Sequence, residues 1–321
     1  MATLKDIAKR AGVTATTVSR VINNRGYISE GTRKKVYAAM EEMHYQPNEL
    51  ARAFSKQYTN TIGLIVPHIS HPFFIRVISN LESSAAEKGF KLLLCNSKEQ
   101  PEKEQDYLDM CISNRVAGIV LCSKYVQTRE FRKMNIPVVN LERGGDDDTI
   151  SVQCDNYQGG KLAAEHLIEC GCKNLLHFGG VAGKDMPADR RADGFSDVCK
   201  KAGIPYRILV SDRLQYGSMH YEDFIRRALQ EFPDVDGIFA SSDLIASQVI
   251  QVGAQMGKRV PEDIQLIGFD DVMISTVTTP QITTIHQPVE EMTELCVEYI
   301  AKSLKNESVP QKIVLPVRLV Q

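Results

Sequence analysis

The chain has 321 residues, of which 43% are hydrophobic, 24% charged and 7% aromatic. This length asks for two or three structural units, and the apolar content is ample for large cores, which excludes a disordered or fibrous chain. The formal net charge of −2 hides an asymmetry: residues 1–60 hold ten Lys/Arg and five Asp/Glu, while the rest hold 28 and 35. A head at +5 on a body at −7 confines any polyanion partner to the head.

The head opens with LKDIAKRAGVTATTVSRVIN at residues 4–23. Leu4, Ile7, Ala8 and Ala11 form one apolar stripe at helical spacing. Gly12 supplies a tight turn, Val13 plugs the gap beneath it, and Thr14 caps a second helix whose inward face is Val18 and Val21. This is the spacing of a helix-turn-helix. The outward residues of the second helix are Ala15, Thr16, Thr17 and Arg20, small or hydrogen-bonding as a major groove requires. Arg20 can fork onto a guanine. Lys5, Asn23 and Thr32 suit phosphates, which fix register rather than sequence. A third helix runs to His44, with Val36, Ala39, Met40 and Met43 on one face. Tyr45 is either a phosphate contact or a core residue. Pro47 ends that helix, and Asn48 can cap a short fourth segment, ELARAFS. The polar SKQYTNT follows as a linker.

The body alternates short apolar runs with helical ones, the pattern of parallel sheets wrapped by helices. The expected strands are 61–67, 90–96, 117–123, 136–141, 150–155, 174–180, 236–242, 263–270 and 281–286. The expected helices are 73–89, 101–115, 157–171, 189–203, 217–231, 243–257 and 288–305. KIVLPVRLV reads as a single terminal strand. The pattern runs twice, which predicts two doubly wound α/β lobes with a ligand cleft at their facing strand ends. The predicted domains are a headpiece at 1–46, a hinge helix and linker at 47–60, and a two-lobed body at 61–321. The first lobe takes about 61–158 with 288–312, and the second about 159–287 with 313–321.

Eight cysteines (95, 111, 122, 154, 170, 172, 199 and 296) sit mostly in apolar runs. Cys170 and Cys172 are too close for a zinc half-site, and no partner pair follows at ligand spacing. Free buried thiols in a reducing cytoplasm are expected, with no metal and no cofactor. The polar N-terminus is unlike a signal peptide, and no apolar run approaches the roughly 20 residues that span a bilayer, so no membrane partner is expected.

From end to end the chain resembles the lactose-repressor/galactose-repressor family of bacterial transcription regulators. The motifs occur in order: LKDIAKRAGVTATTVSRVIN, YQPNELARAF, IGLIVPHISHPFF, RVAGIVL, CDNYQGG, R-x-x-G-F at Arg191 to Phe195, VPEDIQLIGFDD and TTIHQPVEEM. Within the family the head is most like sucrose-operon repressors, notably in VINNRGYISE. The resemblance implies a homodimeric repressor of a sugar-utilisation operon, bound to near-palindromic double-stranded operator DNA. A small effector, a sugar or sugar phosphate, would sit in a cleft built like periplasmic sugar receptors and tilt the lobes. Without a C-terminal heptad tail after KIVLPVRLV, a dimer is expected rather than a tetramer. A phosphocarrier protein corepressor, as in catabolite-control members, is a further partner that the family allows.

The resemblance also assigns residues. Asn48, Ala51, Arg52 and Phe54 fall in the family's hinge helix, which enters the minor groove. Phe54 stands where the family has a wedging leucine; it either intercalates or packs on its symmetry mate. Such a short segment folds only beside a second copy on DNA. In the cleft, the resemblance assigns His71 and Phe73, with Phe73 preferred over Phe74 as the platform for a sugar ring. It assigns Arg191 as a rigid donor fork and Asp270 as the strand-end acceptor. Asp155 either binds effector or bridges the lobes. Ser242 stands where the family often has asparagine.

Two other classes are weighed. An enzyme on this fold would need a phosphate loop, a nucleophile elbow or a metal cluster, and none is present in the sequence. A solute receptor would lack residues 1–57.

Overall fold

The computed structural model describes residues 2–23, 25–45, 58–123, 136–143, 149–181 and 186–321. It divides into two units, residues 1–59 and 60–321.

The first unit contains α1 (Leu4–Ala11), α2 (Ala15–Ile22) and α3 (Glu30–Glu42). Thr3 and Asp6 form a reciprocal capping box on α1, and Gly12 ends it at φ 67°, a conformation that costs glycine little. Thr14 caps α2 and Ser29 caps α3 by accepting from the backbone N–H three residues on. Ile7, Ala8, Val18, Val21, Val36 and Ala39 are buried together, with Val13, Met40, Met43 and Tyr45 packed against them. Each fully buried Ile or Val there is worth about 1.5–3 kcal/mol. Tyr45 packs, partly buried, against this core. The hinge residues Asn48, Ala51, Arg52 and Phe54 lie outside the described residues.

The second unit holds two six-stranded sheets. Its elements in chain order are β1 (Thr61–Val66), α4 (Pro72–Glu87), β2 (Lys91–Asn96), α5 (Pro101–Ser113), β3 (Gly118–Leu121), β4 (Val138–Leu141) and β5 (Ile150–Cys154). They continue with α6 (Asn156–Glu169), β6 (Leu175–Val181), α7 (Arg190–Ala202), β7 (Tyr206–Ser211), α8 (Arg213–Ser218), α9 (Glu222–Glu231) and β8 (Gly237–Ala240). The last are α10 (Asp243–Gln255), β9 (Gln265–Asp270), α11 (Met273–Val277), β10 (Thr283–His286), α12 (Val289–Ser303), β11 (Lys312–Leu315) and β12 (Arg318–Val320).

The first sheet has the order β11-β5-β4-β3-β1-β2 and is parallel throughout. The second has the order β12-β10-β9-β8-β6-β7, with only β12 antiparallel. Central strands such as Ile62–Val66 and Gly237–Ala240 are buried along their whole length, as strands covered on both faces must be. The chain passes between the sheets three times: after β5, after β10 and after β11.

Three sequence readings need correction. KIVLPVRLV is two strands, one in each sheet; Pro316 has no N–H to continue a ladder, and the chain changes sheets there. The last crossing therefore falls after Leu315 and not after residue 312. The segment 217–231 is two helices, broken at Met219, whose φ of 60° cannot continue a helix. The structure adds β7 to the expected strands; it is an edge strand, half exposed and interrupted by Arg207, so its apolar signal is weak.

Candidate functional site

A cavity of about 140 Å³ lies where the carboxyl ends of the two sheets face each other. The first lobe contributes His71, Phe73, Phe74 and Glu142, and the second contributes Arg191, Tyr216, Ser241, Ser242 and Asp270. Gln287, on the second crossing, completes the wall. Several of these residues sit immediately after a strand, where a parallel sheet presents loops and helix starts to a ligand.

Arg191 is the centre of the cavity's bonding. It lies in the first turn of α7 and is 6% exposed. Its Nε donates to Asn156 Oδ1 at 2.8 Å, and its Nη1 donates to the Ser241 carbonyl at 2.6 Å. The guanidinium stacks on Phe269, 3.5 Å from the ring centre. The other end of the Asn156 amide donates to Glu142 at 3.0 Å, and Glu142 also accepts from the Cys154 N–H. Asn156 thus bridges a buried guanidinium and a buried carboxylate. Burial pushes the Glu142 carboxyl above its ordinary range, and the Arg191 charge opposes that shift.

Asp270 ends β9 and is almost fully buried. Burial drives its carboxyl well above the usual value, against the pull of Arg191. It accepts from Gln287 Nε2 at 2.7 Å. The opposite atom of that amide, Gln287 Oε1, is buried and has no hydrogen-bond partner among the described residues. Asp270 and Asp271 have φ of 110° and 55°. Non-glycine residues so placed cost about 1–3 kcal/mol each and persist where neighbours over-determine them.

His71 caps α4, its Nδ1 accepting from the Phe73 N–H at 3.3 Å. Burial, helped by His68 and Arg191, lowers its pKa to about 4, so it is neutral and its Nδ1 bears no proton. Phe73 and Phe74 meet edge to face at 5.2 Å, and both line the cavity.

Two cleft assignments change. Asp155 does not line the cavity; its Oδ1 accepts from the Gln158 N–H at 2.9 Å and caps α6. Ser242 does line it, but its Oγ also caps α10 through the Ile245 N–H. Glu142, Asn156, Tyr216, Ser241 and Gln287 were not anticipated. For Glu142 and Gln287 a signal existed: each is a polar residue directly after a predicted strand.

In the first unit Lys5, Ala15, Thr16 and Arg20 are exposed. Thr17 is half-buried, and its hydroxyl is hydrogen-bonded to Thr14 Oγ1 at 2.9 Å. Thr32 shares its hydroxyl with Ser29 Oγ in the same way. Asn23 follows α2 with its Nδ2 donating to the Ser19 carbonyl at 2.8 Å.

Comparison with known proteins assigns this arrangement to a family. Residues 3–48 match the family described as bacterial regulatory proteins, lacI family, and residues 164–321 match the periplasmic binding protein-like domain. The ribose operon repressor of Halalkalibacterium halodurans is 33% identical over 98% of this chain and 96% of its own length. The chain belongs to the lacI family. The sucrose operon repressor of Pediococcus pentosaceus is 35% identical over 99% of this chain and 98% of its own. Among solved structures, a periplasmic binding protein/LacI transcriptional regulator from Alkaliphilus metalliredigens QYMF, complexed with D-xylulofuranose, is 32% identical. It covers 82% of this chain and 98% of its own with a TM-score of 0.74.

As a lacI-family member the protein is a DNA-binding transcription regulator, with its helix-turn-helix in residues 4–22 and its effector domain in the two lobes. No helix among the described residues is long and apolar enough to cross a membrane.

Proposed function

We propose that this regulator is a homodimeric, cytoplasmic repressor of a sugar-utilisation operon, controlled by an uncharged sugar in the cleft. The observation that carries the proposal is the set of buried groups around Arg191. Asp270 and Glu142 supply acceptors for sugar hydroxyls, and the guanidinium offers a rigid fork. Phe73, Phe74 and Tyr216 supply ring faces for the C–H side of a sugar. Glu99, Glu142, Asp189 and Asp270 are the carboxylates of the described lining, against the single guanidinium of Arg191. That balance favours a neutral sugar over a sugar phosphate.

On the DNA side, Ala15, Thr16 and Arg20 read base edges, and Lys5 sits on phosphate. Thr17 contributes mainly its methyl group, because its hydroxyl belongs to the cap. Two such heads need a two-fold dimer to meet a near-palindromic operator. Met273 and Val277, one turn apart on α11, are 77% and 66% exposed, which supports cover by a second copy. Phe54, outside the described residues, stands where the family has its wedging leucine; Phe54→Ala should lose tight operator binding in a gel shift at fixed salt while the protein still folds.

A thermal-shift screen with D-ribose, D-fructose, sucrose and their phosphates tests the cleft reading. A ligand at 100 times its Kd stabilises by about 2.7 kcal/mol, a clear rise in Tm. A neutral sugar should raise Tm and change operator binding in a gel shift at fixed salt. A response to phosphorylated sugars alone overturns the reading.

A further inference from the structure

We infer that Arg76 is a positioning residue for Asp270, a strap from the first lobe that holds the effector carboxylate in its working direction; this rests on the cleft reading above.

Arg76 lies on α4, in the first lobe, yet its guanidinium reaches the second. Its Nη1 donates to the carbonyls of Asp270 at 3.3 Å and Asp271 at 2.9 Å. Its other face is held by Glu290 of α12, through Nε at 3.2 Å and Nη2 at 2.8 Å. The side chain is only 21% exposed, so this is a partly desolvated fork rather than a surface ion pair.

The backbone it grips is the unusual one. Asp270 and Asp271 are consecutive non-glycine residues with positive φ. Holding their two carbonyls holds the backbone that carries the Asp270 side chain. Within and beside the second lobe that segment is held by His286 on the Asp271 carboxylate at 2.7 Å. It is also held by Asp243 on the Val272 N–H at 2.9 Å and by Gln287 on the Asp270 carboxylate. Of these restraints, Arg76 is the one delivered by the first lobe, and the one that acts on the two carbonyls. A movement of the lobes that withdraws α4 therefore releases the backbone at Asp270. Conversely, a sugar that needs Asp270 in place favours the lobe arrangement in which Arg76 is engaged, and effector affinity and lobe position become one equilibrium.

Hydrogen exchange of the full-length protein without sugar, read by mass spectrometry, tests this directly. In Arg76→Met, amides in residues 268–276 should exchange about tenfold faster, while β1 and β6 keep their protection. Arg76→Lys, which keeps a donor to the carbonyls, should restore at least half of the lost protection. Glu290→Gln, which keeps Arg76, should change exchange less than threefold. If Arg76→Met fails to fold, Arg76→Gln takes its place. With D-ribose or D-fructose, whichever the wild type binds, Arg76→Met should weaken binding about tenfold in calorimetry. Unchanged exchange at 268–276, or Lys no better than Met, overturns the inference. If the wild type binds no sugar the effector reading fails, while the exchange comparison still decides the role of Arg76.

Discussion

The guanidinium carbon of Arg191 sits over the ring of Phe269, 3.5 Å from its centre. It is buried, and Asn156 and the Ser241 carbonyl each hold one of its nitrogens. Such a site is cut for a planar fork. Arg191→Lys should keep the charge that balances Glu142 and Asp270 but lose the stacking and the second bond. We expect sugar affinity to fall at least roughly 100-fold while operator binding persists. Arg191→Met should in addition destabilise the body by about 3–5 kcal/mol, because the buried carboxylates lose their counter-charge. Urea titration and calorimetry of the two variants separate these effects; a lysine variant with normal sugar response removes Arg191 from the site.

Gly160 and Gly194 let α6 and α7 cross backbone to backbone. A Cβ on Gly160 would stand 2.0 Å from the Arg191 carbonyl oxygen, and one on Gly194 would stand 2.0 Å from that of Tyr157. Gly160→Ala must push α7 away and move Arg191 with it. We expect a loss of about 3 kcal/mol in stability together with weaker sugar binding. Gly217→Ala, with open space around its Cβ, is the control and should be neutral or stabilising by about 0.4–1 kcal/mol.

His177 stacks on Phe239 at 4.5 Å, and its Nδ1 donates to the Phe239 carbonyl at 2.9 Å. Burial lowers its pKa from 6.5 to about 4. The unfolded chain therefore binds this proton below pH 6.5, and the folded chain only below about pH 4. The resulting stability is complete above pH 6.5 and is lost as the pH falls toward 4, by about 3 kcal/mol in all. His177→Phe keeps an aromatic ring and removes the titration. The stability of wild type relative to this variant should shrink by that amount between pH 7.5 and 4. Parallel denaturation curves across that range would exclude a neutral buried His177.

On DNA, Arg20 and Lys5 should fail differently. Arg20→Ala should cost about 1–3 kcal/mol and relax preference at one operator position. Lys5→Ala should weaken all sequences alike and lower the salt dependence by about one ion. Gel shifts at several salt concentrations on operator variants distinguish the two, and a uniform loss for Arg20→Ala would make it a phosphate contact.

What the sequence determined by itself is what repeats over short distances. Helical stripes, caps and unbroken apolar strands are local, so the helix-turn-helix, both lobes and most of their elements could be read directly. Arg191 and Asp270 were legible because each falls on a family motif, Asp270 at a strand end as well. The tertiary structure alone decided partnership. Asp155 and Asp270 both end strands, yet one caps a helix and the other lines the cavity. Glu142 and Gln287 enter the cavity only because three crossings bring separate strand ends together. The terminal run looked continuous because a proline interrupts hydrogen bonding without interrupting apolar character. Arg76 has no local mark at all: its carbonyl partners lie 194 and 195 residues away, and only the packing of two lobes turns an ordinary helix arginine into a strap on Asp270.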